Sequence, residues 1–385
     1  MDDNVPVPQY ERLRRALLEG IEAGRWAVGG LLPTESELTD AFAVSRITVR
    51  RALQELRSAG VVETARGRRT RVIRSVPQRA ASLDGVGDIR VVTLSVPWLA
   101  SENILAMMRG AEEILRPAGW TAVVTCTDND PEREERQARQ ARRIGVAGLI
   151  VYPAQGWANR EVFRELSGPG LPLVYLGRYH PEVEADRVVV DNAGGAAAAV
   201  QHLLARGHRR IAFVNGEERE VSAVADRLRG YCAAHERAGI PVDFSLVLMD
   251  VFARDVPQSV SSERIGRLWD GDPPTAALVV NTPTAVTFRH HLRALGRRCE
   301  LAAFSVSTDG APLDGCALVE VPAEAMGREA ATLMLRRLQD DWAAWPRARV
   351  LPVHLRVAGS ETARAVPPLP AAAGGGSAWR VPGDG

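Results

Sequence analysis

The sequence predicts an α/β protein in two folded parts: a small helix-turn-helix domain carrying a wing, then a two-lobed domain of parallel sheets flanked by helices. Three observations lead there. Residues 1–74 read as three amphipathic helices and two short apolar strands, and residues 89–363 alternate apolar runs of strand length with helical patterns. Residues 75–88 and 364–385 are rich in small and turn residues, and read as a linker and a disordered tail. The basic residues are also unevenly placed: residues 1–80 hold 14 Arg against 10 acids, the remainder 34 Arg against 37.

In the first part, Leu13, Leu17 and Ile21 recur every four residues, the stripe of an amphipathic helix. After Gly29, Gly30 and Pro33 the run Thr34, Glu35, Ser36, Glu37 has the form of a capping box and starts a second helix continued by Leu38 and Phe42. A third helix is expected from Ser45, with Val49, Leu53 and Leu56 buried and Gly60 stopping it. Val61 to Thr64 and Thr70 to Ile73 make the two strands of the wing, joined by Arg66, Gly67, Arg68 and Arg69.

From Val44 to Arg74 nine Arg stand against two acids, a balance of +7 in a chain whose total is +1. An isolated pair of arginines on a helix is usually just solvated, but here a helix, a turn and a basic wing coincide, which points to double-stranded DNA. Arg46 and Arg50, one turn apart at the start of the third helix, suit bidentate contact with guanine in the major groove. Gly67 would let the wing backbone approach a groove, and Arg68 and Arg69 would neutralise phosphates.

The stretches LPTESEL, VSRITVRRAL, ELRSAGVV and ARGRRTRV resemble the GntR-type winged helix-turn-helix from Gln9 to Ile73. The resemblance implies that Ser45, Arg46, Thr48, Arg50 and Gly67 carry DNA contacts. Ile47, Ser36 and Arg51 depart from the family pattern, which commonly has Thr, Arg and Glu there, so the operator sequence does not carry over.

The second part alternates IRVVTLSV, an amphipathic stretch Ile104 to Leu115, WTAVVTCT, a charged helix over Pro131 to Arg143, VAGLIVY and LPLVYL, with a similar series following VVVDN. Such βαβ units build parallel sheets, and two lobes suit this length, with a ligand cleft beyond the carboxyl ends of the strands. The acids and arginines of Pro131 to Arg143 read as a solvated face laced by pairs one turn apart.

Composition removes several chemistries. The chain has no lysine, which excludes a phosphate-loop NTPase and a pyridoxal Schiff base. GxGxxG after a strand, GxSxG and HExxH are absent, and no cofactor or metal site is expected. Cys126, Cys232, Cys299 and Cys316 have no close pair and read as small core residues; His290 and His291 are adjacent on a helix and diverge. Without a leader or an apolar span, a cytoplasmic protein is expected.

DNDPEREERQ, VVVDNAGGAAAAVQHLLARGHRRIAFVNG, DRLRGYCAAHERAGIPVD, EVPAEAMGREAATLMLRRL and LPVHLRVAGSETA resemble the effector domain of the LacI/GalR family, itself periplasmic-binding-protein-like, over Ile89 to Ala363. With the GntR-type head, the whole resembles the arabinose-responsive repressor type. The resemblance implies a ligand-responsive transcription regulator, a repressor and homodimer on a palindromic operator, with Arg227, Trp98, Ser101, Asn281 and Ser305 lining an effector cleft. An enzyme domain attached to a DNA-binding head is the alternative.

Effector classes open to such a cleft are a sugar, a sugar phosphate or an organic acid. Trp98, Thr282 and Ser305 stand where the family has acids, so Arg227 is left without an obvious carboxylate. That favours an acidic or phosphorylated ligand, unless Asp191 or another acid fills the gap.

Overall fold

In the computed structural model residues 9–22, 25–58, 61–64, 69–73, 90–154, 156–168, 170–217, 221–253, 255–306, 315–342, 345–357, 360, 362–367 and 369 are described. The linker expected at 75–88 lies outside them, as do residues 370–385. The chain divides into two compact units, residues 1–88 and nearly all of 89–385.

In the first unit α1 (Gln9–Glu22), α2 (Glu35–Phe42) and α3 (Arg46–Ser58) precede β1 (Val62–Glu63) and β2 (Arg71–Val72), an antiparallel pair with Val62 opposite Val72. These strands are shorter than the runs expected, although Ile73 N still donates to Val61 O at 3.0 Å. The core is the one the periodicity implies: Leu13, Leu17 and Ile21 meet Leu38, Val49, Leu53 and Leu56, all buried. The capping box forms, with Glu37 N donating to Thr34 Oγ1 (3.3 Å) and Thr34 N to Glu37 Oε2 (2.7 Å). Ala43 closes α2 at φ 52°, a left-handed conformation that costs a residue with a Cβ roughly 1–2 kcal/mol and makes the sharp turn into α3.

The second unit runs β3 (Val91–Val96), α4 (Glu102–Leu115), β4 (Thr121–Cys126), α5 (Pro131–Ile144), β5 (Gly148–Val151), α6 (Arg160–Leu166), β6 (Leu173–Leu176), β7 (Asp186–Val190), α7 (Asn192–Ala205), β8 (Ile211–Val214), α8 (Ser222–Arg237), β9 (Val247–Leu248), α9 (Gln258–Arg267), β10 (Ala276–Val279), α10 (Thr282–Ala294), β11 (Glu300–Ser305), β12 (Ala317–Glu320), α11 (Ala323–Leu338), β13 (Ala348–Leu351), β14 (His354–Arg356) and β15 (Arg364–Ala365). Two sheets result. The first is parallel throughout, in the order β13-β7-β6-β5-β3-β4; the second, β15-β14-β12-β11-β10-β8-β9, is parallel except at β14 and β15.

The lobes are not contiguous in sequence. The chain leaves the first sheet after β7, returns to it with α11 and β13, and crosses back for β14. Glycines permit the close helix crossing this requires: a Cβ on Gly327 would sit 1.9 Å from Met107 O, and one on Gly110 2.0 Å from Glu324 O, so α11 and α4 meet backbone to backbone. Arg337 of α11 then reaches Asp186 of β7 with Nε to Oδ2 at 2.6 Å and Nη2 to Oδ1 at 2.8 Å, an ion pair shut away from solvent.

Part of the segment expected as a tail from residue 364 is folded. Arg364 and Ala365 pair with β14, Val366 is buried, and Leu369 packs against the core. Two apolar side chains among prolines anchor a segment whose composition alone reads as unstructured.

Candidate DNA-reading surface and effector cleft

Helix α3 is secured at its start by Ser45, whose Oγ accepts from Thr48 N (3.1 Å) and shares a hydrogen bond with Thr48 Oγ1 (2.8 Å). Val49, Ala52, Leu53 and Leu56 turn inward, so the opposite face stands in solvent with Arg46, Ile47 and Arg50 exposed. Arg50 Nε donates to Glu35 Oε2 at 2.9 Å and Arg69 Nη2 to Glu37 Oε2 at 3.3 Å. Hydrogen bonds from the Thr34 backbone and side chain hold the Glu37 carboxyl below its usual range. Both pairs are solvent-exposed and therefore weak, so an anionic partner would release either arginine at little cost. Arg51 instead lies over the Tyr10 ring, 3.9 Å from its centroid. Gly67 and Arg68 lie outside the described residues.

In the second unit, residues just past the carboxyl ends of β5, β6, β8 and β10 converge between the lobes. Arg178, after β6, is only 3% exposed; its Nε donates to Pro153 O at 2.7 Å, and its guanidinium lies 4.7 Å from the Tyr152 ring centroid and 5.6 Å from that of Trp98. Its Nη1 reaches Glu217 Oε2 at 3.4 Å across the lobes, while Nη2 is buried without a hydrogen-bond partner. The other Glu217 oxygen accepts from Asn281 Nδ2 at 2.6 Å. Arg227 donates from Nε to Asn192 Oδ1 (2.9 Å) and from Nη1 to Val280 O, and lies 3.9 Å over the Phe304 ring. Burial pulls the Arg227 guanidinium below its usual range, and the Glu217 charge opposes that. A second tie between the lobes runs from Tyr179 N to Ser222 Oγ at 3.0 Å.

The structure thus brings Trp98, Arg227 and Asn281 to one cluster. Ser305 is buried at the end of β11 beside Phe304, and Ser101 opens α4 without a cap hydrogen bond from its hydroxyl. Sequence reasoning missed Arg178, Tyr152 and Glu217. The acid that the sequence left open near Arg227 is Glu217: its charge acts on Arg227 while its carboxylate meets Arg178 and Asn281, and nothing local in the GEERE run singles it out. Asp191 is occupied elsewhere, capping α7 through Gly194 N at 2.7 Å.

The charged helix α5 carries a second surprise. Arg136–Glu132 and Arg139–Glu135 are exposed pairs as expected, but Glu134 turns inward and is 1% exposed. It accepts from Ala154 N and Asn159 Nδ2, both at 2.7 Å, and so fixes the loop whose Pro153 carbonyl holds Arg178. Burial raises its carboxyl above the usual range, opposed by those two hydrogen bonds. Among the described residues no helix is long and apolar enough to cross a membrane.

Residues 9–72 match the bacterial regulatory proteins of the gntR family, residues 91–263 the periplasmic binding proteins and sugar binding domain of the LacI family, and residues 200–360 a periplasmic binding protein-like domain. The arabinose metabolism transcriptional repressor of Geobacillus stearothermophilus is 30% identical over 298 residues, covering 75% of this chain and 79% of its own length. The HTH-type transcriptional regulator CelR of Thermobifida fusca is 30% identical over 359 residues, covering 90% and 98%. A solved structure of a putative ribose operon repressor from Burkholderia thailandensis superposes with a TM-score of 0.62 at 25% identity, over 69% of this chain and 98% of that one. With an exposed arginine-bearing helix in the first unit and a polar cluster between the lobes of the second, the chain belongs to the family of transcription regulators that join a GntR-type DNA-binding domain to a LacI-type effector domain.

Proposed function

We propose that the chain acts as a homodimeric repressor on a palindromic operator, and that its effector is a neutral, polyhydroxylated small molecule of sugar type. Arg46 and Arg50 read base edges, Gly67, Arg68 and Arg69 meet the backbone at the wing, and Ser45 with Thr48 holds the amino end of α3 against a phosphate. The cytoplasm is where such a protein works.

The observation that carries the effector class is Glu217, held between Arg178 and Asn281. A sugar hydroxyl both donates and accepts, so it can donate to this carboxylate and accept from Arg178 Nη2 and Arg227, while the exposed ring of Trp98 receives the apolar side of the sugar. The relative named for arabinose metabolism supports the same class. Ligand binding shifts the balance between lobe arrangements and through it the spacing of two DNA heads.

The test is fluorescence anisotropy of a duplex selected from a randomised library, titrated with neutral pentoses, hexoses and disaccharides beside their phosphates and acids. A response to a neutral sugar is expected; a response to anions alone would refute the class. Arg227→Ala is expected to bind the duplex normally and ignore the ligand. Loss of DNA binding with unchanged melting would instead place Arg227 in the coupling between domains.

A further inference from the structure

We infer that Ile47 is a specificity-determining residue of the DNA reader, packing its side chain on the C5 methyl group of a thymine between the bases met by Arg46 and Arg50. The inference rests on α3 being the reading helix. It starts from an exposure that folding does not explain: Ile47 is 80% exposed, more than any other large apolar side chain among the described residues. A β-branched residue adds no helix propensity there, and the Ser45–Thr48 pair already secures the helix start.

Its position on the helix is equally specific. At about 100° per residue, the buried set Val49, Ala52, Leu53 and Leu56 defines an inward direction, and Ile47 points almost opposite to it. Arg50 and Arg51 lie to either side of it, and Arg46 precedes it. An apolar side chain at the centre of an outward face with no acid in its first turn is poorly suited to an apolar protein surface, which the flanking cations would have to desolvate against. A polyanion suits both features. Within the major groove the apolar group on a base edge is the thymine methyl, and Arg and an aliphatic side chain together read mixed guanine and thymine steps.

Duplexes are selected from a randomised DNA library with the full-length protein, and each thymine of the enriched site is then replaced singly by deoxyuridine, which lacks only that methyl. Affinities are measured for the parent protein, Ile47→Ser and Ile47→Val. One thymine per half-site, next to a guanine, is expected to cost the parent about three- to tenfold on conversion to uracil, the worth of one buried methyl contact. Ile47→Ser is expected to bind the thymine and uracil duplexes alike while keeping the guanine preferences, and Ile47→Val to keep most of the discrimination. Uracil sensitivity that persists in Ile47→Ser, or no sensitive thymine at all, would overturn the assignment. A change in self-association on sedimentation without any change at thymine would assign Ile47 to contact with a second copy instead. A library that yields no enriched sequence would overturn the reading helix itself, and this inference with it.

Discussion

Replacing Glu217 by Gln tests the cleft most directly, because it removes one charge while keeping a carbonyl oxygen able to accept from Asn281. The carboxylate sits 3.4 Å from Arg178 Nη1 and 2.6 Å from Asn281 Nδ2, with 23% of the side chain exposed. At an effective dielectric of about 20, the Arg178 pair has a gross Coulomb energy near 5 kcal/mol, most of it offset by desolvation. The measurable quantity is the bond to the ligand: a hydrogen bond to a charged group contributes about 1.5–3 kcal/mol, so a neutral sugar should bind the variant roughly 10- to 150-fold more weakly. Among Arg178, Arg227 and Glu217 the charge rises from +1 to +2, so the phosphate of the same sugar should gain affinity. Calorimetry with the sugar and its phosphate, on parent and variant of equal melting temperature, reads both changes. Unchanged sugar affinity together with no gain for the phosphate would refute the role given to Glu217.

Arg46→Ala and Arg50→Ala should each lower discrimination at one base position by about 1–3 kcal/mol, whereas Arg69→Ala should weaken binding to all sequences and flatten its salt dependence; binding-site selection and salt titrations separate the two effects. Asp186→Ala leaves Arg337 charged in the core and should cost about 3–5 kcal/mol in urea unfolding; a loss below about 1 kcal/mol would contradict the shut-in ion pair. His180 is 3% exposed, its Nδ1 hydrogen-bonded to Tyr175 OH at 2.9 Å, and burial depresses it from 6.5 to about 4. The unfolded chain therefore takes up a proton below pH 6.5 that the folded chain refuses until about 4, so stability is complete above pH 6.5 and falls through that window, by up to about 3 kcal/mol. His180→Gln should flatten this part of the pH profile of the urea midpoint, and an unchanged slope would show that other groups carry it.

Whatever depends on neighbours a few residues away is written into the order of the residues. The stripe Leu13, Leu17, Ile21, the Thr34 capping box, the inward Val49, Leu53 and Leu56, and the strand–helix alternation of the second part all follow from periods of 3.6 and 2 and from local hydrogen bonds. The arginines of α3 were legible because one helix turn places them together. Which charges meet depends instead on how distant segments pack. Glu217 and Arg178 are 39 residues apart, Arg337 and Asp186 are 151 apart, and nothing within GEERE or LPLVYLGR marks Glu217 or Arg178 as a partner. Glu134 looks like every other acid on its solvated helix until the loop after β5 folds over it with two donors. The return of β13 to the first sheet and the anchoring of Val366 are likewise settled by which distant surface is left to cover. Periodicity tells a side chain to turn inward, but the partner that makes a buried charge tolerable comes from a segment brought near only when the chain folds.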